Sequence, residues 1–161
     1  MAVDMFLKLD SVEGEATDDK HKGEIDVLSW TWAVSQTGTS GKGGGSGAGK
    51  AEHKDLEIRK LVDRASPVLY FKCASGEHIK SADLVVRKAG GEALEYMKIH
   101  LDDLIVTSFE MGGQPEADQL TEVVRLNFSK SLVTYSPQSS SGGGSGDVSG
   151  GWDLALNKRN G

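Results

Sequence analysis

The segment Gly44-Gly-Ser-Gly-Ala-Gly49-Lys50 has the G-x-x-x-x-G-K spacing with which backbone N–H groups and a lysine cradle phosphates. That chemistry needs a loop running straight into a helix, whose first N–H groups and a Ser or Thr hydroxyl complete the phosphate and Mg²⁺ site. Here Ala51 stands at the hydroxyl position, and Glu52-His-Lys-Asp-Leu-Glu-Ile58 reads as the start of a strand. In a run as glycine-rich as 38–50 the match arises cheaply, so the segment is read as a flexible assembly loop. A hydrolase would need a nucleophile beside a base, here Cys73 or a serine with His21, His53, His78 or His100. Cys73 falls on the apolar side of a short predicted helix, where a thiol is an inert hydrophobe.

One cysteine permits no internal disulfide, and no histidine stands at a metal-ligand spacing. The pairs Asp18-Asp19 and Asp102-Asp103 lack the ordered oxygen series of a calcium loop and read as solvated turns. Asn127-Phe-Ser129 fits a glycosylation acceptor but lies in a predicted strand, so chance is the better account. Trp30, Trp32 and Trp152 read as packing residues before they read as a binding platform. No catalytic residue, metal or cofactor is expected.

With 24 acidic and 18 basic side chains the chain carries a formal charge of −6, which disfavours a nucleic-acid partner. Asp4 and Lys8 interrupt the first apolar stretch where a signal peptide needs an unbroken core, and no apolar run approaches a bilayer span. The chain is therefore expected to be soluble in the cell that makes it and to leave, if it leaves, by a signal-peptide-independent route.

The elements that would position these residues are mostly strands. Val3, Met5, Leu7 and Leu9 alternate with Asp4, Phe6, Lys8 and Asp10, the period of a half-buried strand. A surface connection over 12–23 precedes a long strand over 24–36, in which Leu28, Trp30, Trp32 and Val34 share one face and Ile25, Val27, Thr31 and Ala33 the other. Both faces are partly apolar, so the back of this strand needs a cover, either the chain's own helix or a neighbouring copy. A third strand carries Leu56, Ile58 and Lys60 on one side.

Ser66-Pro67 opens the one convincing helix, over 67–74, with Ser66 as cap and Ser75-Gly76 as stop. Strands follow over 82–88, 93–102, 104–111, 122–134 and 152–157, with a hairpin turn at 89–92 and a turn or bulge at Asp102-Asp103. The stretches 112–119 and 136–150 read as loops. Many strands and one short helix in 161 residues predict a single mainly β domain, a two-sheet β-barrel with the helix packed on its side.

Met1-Ala-Val-Asp-Met-Phe-Leu-Lys-Leu, Glu24-Ile-Asp-Val-Leu-Ser-Trp-Thr-Trp with Ser35-Gln-Thr-Gly, Asp55-Leu-Glu-Ile-Arg-Lys and Ser66-Pro67 closely resemble the hemolysin-coregulated protein family. So do Val85-Val-Arg-Lys-Ala-Gly-Gly, Tyr96-Met-Lys-Ile, Leu120-Thr-Glu and Gly151-Trp-Asp-Leu, in order along nearly the whole chain. The resemblance implies a secreted subunit of the type VI secretion tube, a homohexameric ring that stacks into a tube. It implies a spike protein and contractile sheath as partners, and small effectors in the lumen. It also places the ring-stacking contact on the loop after the second strand, here Gly38, Ser40, Lys42, Gly44, Ser46, Gly49 and Lys50.

A head-to-tail ring needs two different, complementary faces on each subunit. Alternation offers Val27, Trp30 and Trp32 on the second strand and Val124, Leu126 and Phe128 on the 122–134 strand as ring contacts. The competing expectation is a β-barrel adaptor or chaperone, monomeric or oligomeric, that binds small proteins without forming tubes.

Overall fold

The computed structural model describes residues 2–38, 49–89, 94–137 and 146–161. Strand β1 (Val3–Leu9) pairs antiparallel with β2 (Ile25–Asp26) on one edge and with β7 (Ile79–Lys88) on the other, Leu7 facing both Ile25 and Leu84. Strand β7 continues to β8 (Glu95–Gly112), and β8 to β9 (Thr121–Tyr135). Strand β9 then meets β6 (Leu56–Leu61), which pairs with β3 (Ser29–Thr31).

Two residues between β2 and β3 close this circuit. The Val27 N–H donates to Met5 O at 3.0 Å and the Leu28 N–H to Arg59 O at 2.9 Å. Successive N–H groups of an extended chain point to opposite edges, so the hand-over from β1 to β6 takes a single residue step. The predicted long strand 24–36 is accordingly three short ones, because it serves three partners in turn: β1, β6, and then β5 (Glu52–His53), which pairs with β4 (Val34–Ser35) in a separate ribbon.

Inside the closed circuit lie Leu7, Ile25, Leu56, Ile58, Leu84, Ile99, Leu101, Leu104 and Leu126, each essentially solvent-free. Burial of such a side chain contributes about 1.5–3 kcal/mol, so this cluster is the main source of stability. Phe6 points away from it yet is also buried, because residues 12–24 fold back and stack His21 on its ring at a centroid distance of 4.4 Å.

The turn or bulge predicted at Asp102-Asp103 is neither. Strand β8 runs unbroken there: Asp103 takes a φ of +52° without a register shift, and the irregularity lies instead between Val106 and Ser108. Asp is among the few side chains that adopt this backbone region readily. The predicted strand 152–157 is also displaced. Strand β10 (Val148–Asp153) starts inside the stretch read as a loop, and Asp153 Oδ1 accepts the Leu156 N–H at 2.9 Å to turn the chain into β11 (Lys158–Arg159). A side-chain acceptor that captures a nearby backbone N–H ends a strand this way.

Helix α1 (Ser66–Ser75) lies along the C-terminal half of β8, where that strand has β9 on one edge and no longer pairs with β7. Ten residues are too few for an isolated helix, and docking supplies the stability. Gly76 ends it at φ +72°, with its N–H donating to Lys72 O. Ser66 is not its cap. The capping position is Ala65, and the Ser66 hydroxyl turns inward to Glu122.

Candidate assembly surfaces

The residues with chemical potential are dispersed. Lys50 is exposed and leads through Ala51 into β5 and β6, so no helix follows the G-x-x-x-x-G-K pattern to receive a phosphate. Ser40, Lys42, Gly44 and Ser46 lie outside the described residues; Gly38 and Gly49 are exposed. Cys73 is half-buried against the core. Among the described residues no group of three or more His, Cys, Asp or Glu is placed to hold a metal. Among them also, no helix is long and apolar enough to cross a membrane.

His21 and His100 instead serve as clasps. His21 Nδ1 lies 2.9 Å from Glu24 Oε2 and its Nε2 2.7 Å from Glu95 Oε1. Beside it Arg87 lies over the Phe6 ring and bonds Asp18 and Asp4. The Arg87 guanidinium is the main reason the Asp18 carboxyl titrates at about 2 instead of 3.8. Burial pushes Glu95 up, but hydrogen bonds from His21 and Lys98 outweigh it and leave the carboxyl below its ordinary value. Together these contacts pin residues 12–24 across β1, β7 and β8. On the same outer face His100 lies between Asp83 at 2.7 Å and Asp102 at 3.1 Å. Burial depresses the imidazole, and the two carboxylates reverse that and raise it.

Four of the six residues expected at a ring contact are spent elsewhere. Val27, Val124, Leu126 and Phe128 are buried in the subunit's own core, where they have no area left for a neighbour. Trp30 and Trp32 are half-buried and pack against the same core, Trp32 with its ring 6.0 Å from Phe128. Alternation picks out Val124, Leu126 and Phe128 as one apolar face but cannot distinguish a face turned into a barrel from one turned toward another chain.

Among the described residues, exposed apolar side chains include Val3, Leu28, Leu120 and the cross-strand pair Tyr135 and Val148, and two further groups flank the fold. On the first, Tyr70 is 63 % exposed, Phe71 56 % and Met111 50 %. Tyr70 and Met111 line a groove of about 540 Å³ together with Val62, Pro67 and Phe109, the Tyr70 and Phe109 rings 6.1 Å apart, and Phe71 is the next residue along α1. A buried ionic cluster holds this flank rigid. Lys60 pairs with Glu122 and, at 2.8 Å, with Asp63, while Ser66 Oγ donates to Glu122 at 2.7 Å. The start of α1 is thereby tied to β6 and β9.

The second flank lies on the opposite edge of β9. Strand β10 and the turn after it meet the root of β5 there, around Lys50, Ala51, His53, Trp152, Leu154 and Asn157. Val34 on the paired β4 is 58 % exposed and Leu156 in the turn 62 %. The signal for the first flank was present in the sequence: Val68, Leu69, Tyr70 and Phe71 are apolar in succession, more than one side of a docked helix can bury.

Comparison with known proteins places this architecture. The family described as "Type VI secretion system effector, Hcp" matches residues 6–135. The chain is 46 % identical over 159 residues to protein hcp1 of Pseudomonas aeruginosa strain PAO1, covering 98 % of each. It superposes on crystal structures of Hcp1 from Salmonella typhimurium (41 % identity, TM-score 0.84, 99 % of this chain and 100 % of the other) and of a type VI secretion system effector from Yersinia pestis (37 %, 0.77, 93 % and 99 %). The mainly β fold, its side-packed helix and this full-length likeness have one reading: the chain belongs to the Hcp family of type VI secretion proteins.

Proposed function

We propose that this protein is a structural subunit of the type VI secretion inner tube, with no catalytic role. Copies close head to tail into hexameric rings, the rings stack, and the assembly is exported by a signal-peptide-independent route, with small effector proteins in its lumen. Spike and sheath proteins are its partners during assembly. The observation that carries this reading is the family likeness over the whole chain. Two exposed apolar flanks on a subunit whose core is already complete agree with it, because a monomer has no use for them. Stacking is assigned to the 38–50 segment, which includes Gly38, Gly49 and Lys50; ordering so many glycines offsets part of the contact energy and keeps stacking weaker than ring closure.

Negative-stain images and sedimentation of the purified protein test it. Ring-sized particles that stack at high concentration support the reading, and a protein that stays monomeric overturns it in favour of an adaptor. Shortening 38–50 should leave rings intact while abolishing tubes and export.

A further inference from the structure

The tube-subunit reading leaves open which surfaces close the ring, and the core placement of Val27, Val124, Leu126 and Phe128 removes the obvious ones. We propose that the ring closes by seating the Val34/Leu156 flank of one copy on the Tyr70/Phe71/Met111 flank of the next. This inference rests on that reading and narrows it.

Size, charge and placement carry it. At about 150–250 Å² for a full aromatic side chain, the exposed parts of Tyr70 and Met111 in the groove and of Phe71 beside Tyr70 on α1 leave roughly 300 Å² of exposed surface on this flank. That matches the apolar centre of a standard interface, which buries about 800 Å² on each partner and has a polar rim. Both rims carry charge of both signs, Arg64 next to the groove residue Asp63 and Glu52 on β5 among them, and the outermost segments supply a complementary pair. Glu116 and Asp118 are exposed in the loop after β8, whose end bonds Val62 of the groove, whereas Lys158 and Arg159 are exposed beside Leu156.

The two flanks are different surfaces at different places on the fold, one around α1 and the ends of β6 and β8, the other beside β10 and the root of β5. A contact between two different patches repeats in one direction, which is the condition for a closed ring and not a two-fold dimer. The occupant of the groove is therefore a second copy of this chain.

The test uses complementary knock-outs in the full chain. Tyr70→Glu with Phe71→Glu disables the first flank, and Val34→Glu with Leu156→Glu the second. Each variant should keep the wild-type circular dichroism spectrum and self-associate at least roughly 30-fold more weakly. Mixed in equal amounts, the two should form dimers and nothing larger, since each retains one working flank.

A charge swap probes the same contact without touching the apolar residues. Lys158→Glu with Arg159→Glu should weaken rings, and adding Glu116→Lys with Asp118→Lys should restore them. Rings that persist in either knock-out, monomers that fail to pair on mixing, or a swap without rescue would overturn the inference. In all these cases a wild-type protein that still forms rings leaves the tube-subunit reading standing, whereas a wild-type monomer defeats that reading first.

Discussion

Lys60 and Glu122, opposite one another on β6 and β9, form an ion pair in which neither side chain reaches solvent. Both charges are needed there. Removing Lys60 leaves Glu122 buried without its cation, at a cost of about 3–5 kcal/mol, whereas removing Glu122 leaves Lys60 its bond to Asp63 and costs less. Lys60→Met should therefore lower the urea midpoint sharply and Glu122→Gln less so, while Lys60→Met with Glu122→Leu should recover part of the loss, Asp63 and Ser66 having lost their partners. The single variants should also loosen α1, seen as faster amide exchange at Leu69, whose N–H donates to Ala65 O.

Core and flank should separate cleanly in mutagenesis. Leu126→Ala opens a cavity in the closed barrel and should cost about 2–5 kcal/mol of folding stability. Phe71→Ala, on an exposed site, should change subunit stability by no more than about 0.5 kcal/mol, measured by denaturant unfolding of the dissociated protein.

The Asp18–Arg87 clasp should show itself on the acid side. The Asp18 carboxyl lies near 2 in the folded chain against 3.8 ordinarily, so its stabilising effect is complete above about 3.8 and is lost as pH falls through about 2. Asp18→Asn should thus lower the unfolding midpoint at pH 7, and the gap from wild type should close toward pH 2.

His100 should act in the opposite direction. Its imidazole is raised above 6.5, so the stability it adds is fully present below that value and is lost as pH rises through the higher folded value. His100→Gln should be less stable than wild type at mildly acid pH, where Asp83 and Asp102 remain ionised, and equal to it in alkali. Lys8 opposite Asp83, Lys130 opposite Asp102 and Lys98 on the same face of β8 also act on these carboxylates, so the comparison belongs at fixed ionic strength.

Gly151 has a packing role. A Cβ there would collide with the backbone oxygens of Ser131 and Asn160. Gly151→Ala should cost about 1–3 kcal/mol and detach the C-terminal strands first, visible as exchange of the Asn160 amide that bonds Gly151 O.

Alternation and composition alone determined that the chain is mainly β, where most strands run, that one helix follows Ser66-Pro67, and which residues are apolar enough to fill a core. Those properties are local: side-chain period, turn chemistry and capping act over a few residues and can be read without knowing the partners. Tertiary structure decided the rest. Whether Leu126 faces the inside of the subunit or a neighbouring one depends on β3 pairing with β6 while β2 pairs with β1, a relation between distant segments. Likewise Phe6, on the polar side of β1, is buried only because residues 12–24 return to cover it, and Tyr70 and Phe71 stay largely exposed because α1 turns Leu69 into the core. Which apolar surface is left over for assembly is a remainder after folding, and a remainder is set by the whole molecule.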